Sequence, residues 1–216
     1  MAKVIDSVGS DDRTTSTIDL ELDAPKSVQA KIKRDVGEFI VSEILSSVNG
    51  AKSPVAGESW PGLSKGYKKI KVGQGGTSTP DMQLSGSMLD SLKFKATTDG
   101  VEVGFFNKEA AKADGHNKLS GRENNTPQRR FLPEEGQDFI SSIQKGIEEI
   151  VADAVVEAEK MVKADFEGVE TKADLMRVLS EKFDGMSRTE ITAAVLRSVE
   201  LTELLDDLNL LELLDG

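Results

Sequence analysis

The chain carries few residues whose types and spacing could support catalysis or metal binding. His116 is the single histidine among 216 residues, and there is no cysteine. A catalytic base or a metal ligand needs partner groups beside it, and His116 lies in a polar stretch without a second histidine or a thiol. We therefore predict no catalytic residue, no metal site, no cofactor and no small-molecule substrate. His116 is interpreted as an interface or solvated residue.

Two further patterns resemble enzyme signatures without meeting their requirements. The segment 73–77, Gly-Gln-Gly-Gly-Thr, is glycine-rich, but no Gly-Lys-Ser/Thr follows it and no helix is predicted to open there. Aspartate and glutamate together number 38, but they are spread along predicted solvent faces with no metal-ligand spacing. We interpret the first as a flexible loop tip and the second as solvated surface. The protein is therefore predicted not to be an enzyme.

Binding to other macromolecules is the chemistry that the remaining polar and aromatic residues allow. Arg129 and Arg130 could contact DNA phosphates through their guanidinium groups, or could form salt bridges across a subunit interface, which we favour. Trp60 is interpreted as a loop anchor or an interface residue, with Tyr67 adding to the same contact. The candidate interface residues of this region are therefore Trp60, Tyr67, His116, Arg129 and Arg130.

Charge is distributed unevenly along the chain, whose formal net charge is −11. Residues 60–132 contain 12 Lys+Arg against 7 Asp+Glu, a net of +5, whereas residues 165–216 contain 5 against 13, a net of −8. The acidic total argues against a simple nucleic-acid-binding protein. Opposite charges in two parts of one chain help to orient copies that pack against each other, although an acidic tail can also serve only for solvation.

The sequence shows no signal peptide and no membrane span. Residues 1–15 lack an apolar core, and no stretch approaches the roughly 18 apolar residues of a transmembrane helix. The prediction is a cytoplasmic protein with no membrane partner.

The first part of the chain predicts a strand and a long helix. Residues 1–16 are rich in Ser, Thr, Asp and Gly without periodicity and are predicted to be a flexible arm. Apolar residues alternate with acids over 17–23, which indicates a half-buried strand near a sheet edge. Pro25 is typical of the first turn of a helix, and apolar residues at helical spacing extend that helix over about 26–48. Residues 50–83 are predicted to form a long, mostly irregular loop.

A β-hairpin is the clearest local signal of the sequence. Apolar residues alternate before and after Asp99-Gly100, a dipeptide that favours a two-residue type I′ turn. The predicted hairpin spans about 92–106 and pairs residue 98 with 101, 96 with 103 and 94 with 105. This register places on one face the side chains of Phe94, Ala96, Thr98, Val101, Val103 and Phe105.

The second part of the chain predicts a long closing helix and an α+β fold. Residues 107–128 are polar and irregular, and apolar residues at spacings of three and four then indicate a helix over about 134–164. We predict a small antiparallel sheet that contains the hairpin and packs against the two long helices. The predicted core covers residues 17–166, and residues 167–216 form a helical C-terminal extension.

The extension is acidic and rich in leucine. Capping boxes at 171–174 and 187–190 predict the starts of two helices, separated by Asp184-Gly185. Eight leucines lie between residues 201 and 214, and exposing so much apolar surface to water is unfavourable. They either pack on their own domain or insert into a neighbouring protein, which we favour. The candidate interface residues of the extension are Leu204, Leu205, Leu208 and Leu211.

Five short motifs follow one another in the middle of the chain. They are Trp60–Leu63, Leu84–Ser91 around Ser85-Gly86, Val101–Gly104, His116 and Arg129–Leu132. This order resembles that of the virion-morphogenesis (tail-completion) proteins of tailed bacteriophages. Those proteins share a Trp-Pro-x-Leu after the first helix, a Ser/Thr-Gly turn, a hairpin ending in Val-x-Val-Gly, a histidine-bearing loop and a basic Arg-x-Phe-Leu. The resemblance covers about residues 17–163.

The resemblance implies a structural virion protein of the neck or tail. Such proteins form rings, most often of six copies, that terminate the tail tube or join it to the head connector around the DNA channel. The implied partners are further copies of the chain, adjacent neck, connector, tail tube or sheath proteins, and phage DNA in the channel. The implied location is the virion, after assembly in the host cytoplasm. The alternative is a scaffold-like or chaperone-like assembly factor that is absent from the finished particle.

Overall fold

The structure, a computed structural model, describes residues 2–10, 12–22, 26–82, 87–117 and 127–182, and then residues 187, 191–192, 195, 205–206, 208, 210–211 and 213. The chain divides into two units, residues 1–155 and 156–216. The sequence-based boundary between 166 and 167 falls later in the chain than this division.

The first unit contains a four-stranded antiparallel sheet. Its strands are β1 (Ala2–Gly9), β2 (Thr14–Leu20), β3 (Lys93–Ala96) and β4 (Gly100–Phe105), in the spatial order β1-β2-β4-β3. The sheet and the helices of the chain make an α+β fold, which confirms the fold class predicted from the sequence.

Strand β1 occupies half of the segment predicted to be a flexible arm, eight residues of sixteen. Residues 2–9 pair with β2, and Val4 is buried opposite Ile18. The prediction of an arm over 1–16 is wrong. So is the placement of β2 near a sheet edge, because β2 pairs with β1 on one side and with β4 on the other. A bulge between Val4 and Asp6 interrupts the alternation of apolar and polar residues, which hides β1 from a search for period-two patterns.

The hairpin of β3 and β4 has a different register from the predicted one. Ala96 pairs with Val101 and Phe94 with Val103, so the turn is centred on Thr98-Asp99 and not on Asp99-Gly100. The shift is an even number of residues, so each side chain stays on its predicted face of the sheet. The buried side chains that β4 sends to that face are those of Val101, Val103 and Phe105.

Gly100 gives the physical reason for the shifted turn. It is the first residue of β4 and pairs with Asp19 of β2, and a Cβ atom there would overlap the carbonyl oxygen of Ile18. This glycine therefore serves the close approach of two strands and not the turn. Thr97 closes the turn instead: its N–H donates to the Gly100 carbonyl at 2.9 Å, and its hydroxyl accepts from the Gly100 N–H at 3.0 Å.

The α-helices within the described ranges are five. They are α1 (Lys26–Asn49), α2 (Lys65–Gly73), α3 (Ala110–Asn117), α4 (Ser141–Asp165) and α5 (Lys172–Lys182). Helix α1 matches the prediction of a helix over about 26–48. Helices α2 and α3 lie inside the segments 50–83 and 107–128, which the sequence suggested were irregular.

Helix α4 begins later than predicted. The expected start was near residue 134, but Phe139 forms an isolated β-bridge with Val55. The Asp138 carbonyl accepts from the Ala56 N–H at 2.9 Å, and the Ile140 N–H donates to the Pro54 carbonyl at 2.8 Å. These long-range hydrogen bonds hold residues 138–140 in an extended form, and the helix starts once they are made.

Glycines allow the layers of the first unit to approach closely. Helix α1 packs against β3 and β4, and a Cβ at its Gly37 would overlap the ring of Phe94 on β3. A Cβ at Gly146 of α4 would overlap the ring of Phe39 on α1. Both glycines lie inside helices, where the residue lowers helix stability, so a packing role accounts for their presence.

The second unit has its own hydrophobic core. The Thr171 hydroxyl accepts from the Asp174 N–H at 3.2 Å and donates to the Asp174 carboxylate at 2.6 Å, as in the predicted capping box. In the second predicted box, the Ser187 carbonyl accepts from the Ile191 N–H at 2.9 Å. Residues 188–190 and Asp184-Gly185 lie outside the described residues. The buried core residues are Phe166, Leu175, Met176, Val178, Leu179, Ile191, Val195, Leu205 and Leu210.

The capping interaction at α5 predicts a pH-dependent effect. The hydrogen bond from the Thr171 hydroxyl is the main cause that lowers the pKa of Asp174 below its ordinary value. A carboxyl with a lowered folded pKa stabilises the fold above its unfolded pKa, and this contribution is lost as the pH falls through the folded pKa. Thr171→Ala should therefore be less stable than wild type at neutral pH, with a difference that shrinks in acid.

The measurement is an NMR titration of the Asp174 carboxyl, combined with unfolding at several pH values. Thr171→Ser keeps a hydroxyl and should keep the lowered pKa. An Asp174 pKa that is the same in Thr171→Ala and in wild type would contradict the assignment.

Within the described ranges, no helix combines the length and the apolarity needed to cross a membrane.

Candidate interaction surface

Two of the sequence motifs, around Trp60 and Arg129-Arg130, contact each other in the first unit. The Trp60 indole N–H donates to the Arg130 carbonyl at 2.9 Å, and the Ser53 hydroxyl donates to the same carbonyl at 2.6 Å. Arg129 Nη2 donates to the Pro61 carbonyl at 3.3 Å. These contacts join the loop after α1, which contains Trp60, to residues 128–133. This segment precedes α4, and we call it the strap.

Both arginines are engaged inside their own chain. Arg130 Nη1 lies 2.6 Å from the Glu58 carboxylate, and Arg130 Nη2 lies 3.6 Å from that of Glu134. The Arg130 side chain is 15% exposed, and Arg129 is buried. A guanidinium held between two carboxylates is suited to fix the strap in place. The salt bridges of Arg130 to Glu58 and Glu134 therefore lie within one chain, whereas the sequence had favoured a salt bridge across a subunit interface.

A buried amide side chain, that of Asn117, also holds the strap. Asn117, at the end of α3, is buried; its Oδ1 accepts from the N–H groups of Phe131 and Leu132, both at 2.9 Å. Its Nδ2 donates to the Leu132 carbonyl at 2.9 Å. His116, half-buried next to it, accepts through its carbonyl from the Arg129 N–H at 3.0 Å. The sequence marks the histidine as a candidate but not the asparagine, since no local pattern indicates a buried amide.

Helix α2 projects from the loop that the sequence predicted to be irregular, and it is almost entirely exposed. Eight of its nine residues are exposed, and the buried one is Lys71. Tyr67 is 43% exposed, Ile70 56% and Val72 51%. A short helix that buries a lysine and exposes its large apolar side chains is inverted with respect to the usual amphipathic pattern. An exposed apolar group of this kind is typical of an interaction surface.

Polar contacts hold α2 in this inverted position. The Ser64 hydroxyl caps the helix by accepting from the Tyr67 N–H at 3.2 Å. Lys71 Nζ forms a buried ion pair with Asp81 and donates to the Thr79 carbonyl at 2.8 Å. The Thr77 hydroxyl donates to the other oxygen of the Asp81 carboxylate. The cost of burying the Lys71 ammonium is thereby offset by a counter-charge and by additional hydrogen bonds.

The glycine-rich segment 73–77 has a structural task in this arrangement. Gly75 adopts a φ of 82°, a left-handed conformation that ends the helix, and the Gly76 N–H donates to the Lys71 carbonyl at 2.9 Å. A Cβ at Gly76 would press against the aliphatic stem of Lys71. The segment interpreted as a flexible tip therefore closes over the buried lysine.

Three exposed lysines accompany the apolar residues of α2, namely Lys65, Lys68 and Lys69. Together with Tyr67, Ile70 and Val72 they form what we call the α2 surface. Sequence reasoning selected only Tyr67 among these residues. The Ser64 cap and the glycines at 73, 75 and 76 were signals from which the helix could have been found.

The leucines predicted to form an interface lie in the second unit. Leu205 is fully buried in the core of that unit, and Leu208 and Leu211 are half-buried and pack against it. Leu204 lies outside the described residues, as does the predicted Ser85-Gly86 turn of the first unit. Leu205 is thus used within its own unit, whereas Leu208 and Leu211 keep part of their surface accessible.

In the part of the chain that the structure describes, no three side chains of His, Cys, Asp or Glu are grouped so that they could hold a metal ion. The candidate site of the first unit is therefore the exposed α2 surface, held in place by the polar contacts of Ser64, Lys71 and Asp81. Comparison with protein-family models, with curated proteins and with solved structures found no match for this chain.

Proposed function

We propose that the protein is a structural assembly subunit of the phage tail-completion type. It forms a ring that terminates a tail tube or joins it to the head connector, and it acts by binding further copies of itself and adjacent neck, connector or tail proteins. DNA passing through the ring channel is a further neighbour in this proposal. The order of motifs from Trp60 to Leu132 is the basis for the family, and the α2 surface is the basis for assembly.

The observation that supports an assembly role most directly is the exposure of Tyr67, Ile70 and Val72. Three large apolar side chains within six residues are held outward by a buried ion pair and a helix cap. Leaving them in water is unfavourable by roughly 25 cal/mol per Å² of apolar surface, so a contact that covers them is favoured. This arrangement is what we expect of a subunit that binds a partner through α2.

The test is the content of purified phage particles. We expect the wild-type chain to be present at about one ring per particle, and the triple variant Tyr67→Ser, Ile70→Ser, Val72→Ser to be lost from particles. These side chains are exposed, so each change should alter folding stability by only about 0.5 kcal/mol or less. Quantitative gels of particles and unfolding of the pure protein are the two measurements.

A matched control uses exposed apolar residues elsewhere in the chain. Ile5 is 45% exposed and Val156 is 47% exposed. The double variant Ile5→Ser, Val156→Ser should enter particles at the wild-type level. Normal incorporation of the triple variant would exclude the α2 surface as the assembly contact. If the wild-type chain were required for particle production but absent from finished particles, the assembly-factor alternative would replace the structural one.

A further inference from the structure

We propose that the α2 surface of one copy binds the acidic, leucine-rich segment 198–216 of a second copy. This inference rests on the proposed function, since it names the partner of the assembly surface. The sequence had favoured Arg129 and Arg130 as the basic residues of a contact between copies. We now assign that role to the lysines of α2, because both arginines are engaged within their own chain.

Charge is the first ground for this pairing. The α2 surface presents Lys65, Lys68 and Lys69, all exposed, while the remaining lysine of the helix is paired with Asp81. Residues 198–216 contain 6 Asp+Glu and no Lys or Arg. Of these acids, Asp206 is described and is exposed. Two oppositely charged surfaces in one sequence attract each other between copies and fix their orientation.

Apolar complementarity is the second ground. Leu208, Leu211 and Leu213 pack against the core of the second unit but remain half-buried, so part of each side chain is accessible. The α2 surface offers apolar residues between its lysines in the same manner. An interface with an apolar centre and a charged rim is typical of specific protein contacts.

DNA is the alternative occupant of a surface with lysines and a tyrosine. The phosphate backbone would pair with Lys65, Lys68 and Lys69, but it would leave Ile70 and Val72 without an apolar partner. The net charge of −11 also opposes binding to a polyanion. A leucine-rich acidic segment satisfies the lysines and the apolar residues together, which favours a protein partner.

The contact joins two different surfaces of the same chain. Such a heterologous contact repeats from copy to copy and closes into a ring when the rotation between neighbours allows it. The proposed pairing therefore supplies the kind of interface that a ring requires, and each copy contributes one of each surface.

Charge reversal tests the pairing with full-length chains. One variant carries Lys65→Glu, Lys68→Glu and Lys69→Glu. A second changes four of the six acids of segment 198–216, which then holds four lysines against two acids; its substitutions are Glu203→Lys, Asp206→Lys, Asp207→Lys and Glu212→Lys. In each variant alone the α2 surface and the segment 198–216 carry a net charge of the same sign, and we expect self-association to weaken at least about tenfold. In an equimolar mixture each surface finds an oppositely charged partner, and association should return. Sedimentation velocity at low and physiological salt measures the oligomer in each case.

A control variant separates the local effect from the effect of net charge. Lys52, Lys108 and Lys145 are exposed lysines outside α2. Changing these three to Glu gives the same net charge as the first variant, and this control should associate like wild type. Circular dichroism and unfolding midpoints verify that all variants fold.

The outcomes distinguish the inference from the proposed function. The inference is overturned if the α2 variant associates like wild type, if the mixture does not associate, or if the wild-type chain is monomeric under all conditions. In each of these cases the proposed function is still tested separately, by the amount of the chain found in purified particles. Salt-sensitive binding of a short DNA duplex that requires Lys65, Lys68 and Lys69, without any effect on self-association, would overturn the inference in favour of DNA.

Discussion

Replacing Asp81 by alanine should open the segment around α2, with a loss of about 3–5 kcal/mol in its local stability. The Lys71 and Asp81 side chains are 2% and 7% exposed and form an ion pair. Without the carboxylate, the ammonium keeps as partners only neutral groups, the Thr79 carbonyl and the more distant Thr77 hydroxyl. A buried charge without a counter-charge is costly, and exposing the lysine to water by unfolding the segment removes that cost.

Hydrogen exchange is the measurement that resolves this local event. The amide protons of Lys68, Gln74 and Gly76 donate to backbone carbonyls within or next to α2. Their exchange should become roughly a hundredfold faster or more in Asp81→Ala, since each tenfold change corresponds to about 1.4 kcal/mol. The amides of β2 and β4 should exchange as in wild type. The variant should also self-associate poorly, because the α2 surface exists only while the helix is formed.

A double variant and a surface control complete this test. Lys71→Met with Asp81→Leu replaces the pair by apolar side chains and should restore most of the protection, since a buried pair contributes little beyond its apolar replacement. Lys112 forms an ion pair with Glu109, and its side chain is 60% exposed. Lys112→Met should therefore lower the free energy of unfolding by less than about 1 kcal/mol. Unchanged exchange of the α2 amides in Asp81→Ala would show that the ion pair does not hold the helix.

The elements that the sequence predicted well are those whose signals are local. The spacing of apolar residues in α1 and the cap at Thr171 each involve residues within one or two helical turns. The side chains of β4 that face the core were also predicted, because a two-residue shift of register preserves the face. These features depend on neighbouring positions and can be inferred without knowing what lies across the fold.

The elements that the sequence predicted badly are set by distant partners. The start of α4 depends on hydrogen bonds between residues 54–56 and 138–140. The hairpin register depends on Gly100, which lies in β4 and not in the turn because β2 approaches it closely. Strand β1 contains a bulge and is recognisable mainly through its pairing with β2. In each case a contact distant in sequence overrides a local preference, as is common for β-structure.

The candidate surface was missed for a related reason. A lysine is expected on the surface, so the sequence Lys68-Lys69-Ile70-Lys71 suggests a solvated stretch. Burial of Lys71 becomes favourable only when Thr77, Thr79 and Asp81 close around it. That closure turns Ile70 outward. The exposure of the apolar residues of α2 therefore results from a polar network that cannot be recognised from a local sequence pattern.

Replacing Asn117 by alanine should destabilise the first unit by about 3–5 kcal/mol, because three buried backbone groups lose their partner at once. These groups are the N–H of Phe131 and both the N–H and the carbonyl of Leu132. The loss is a large share of the roughly 5–15 kcal/mol that stabilises a typical domain. Denaturant unfolding followed by the fluorescence of Trp60, the single tryptophan, reports on this unit directly.

Asn107 provides a control of the same residue type near the other end of α3. It is exposed, and its Oδ1 accepts from the Glu109 N–H at 2.9 Å as a local cap, so Asn107→Ala should cost only about 1 kcal/mol. Equal losses for the two variants would show that the strap is not held by Asn117.

The larger loss expected for Asn117→Ala has a consequence for assembly. The Arg130 carbonyl, which accepts from the Trp60 indole N–H, belongs to the strap. Helix α2 follows Trp60 closely in the chain, so its position depends on this contact. Asn117→Ala should therefore weaken self-association as well as folding, although Asn117 is buried and belongs to no surface.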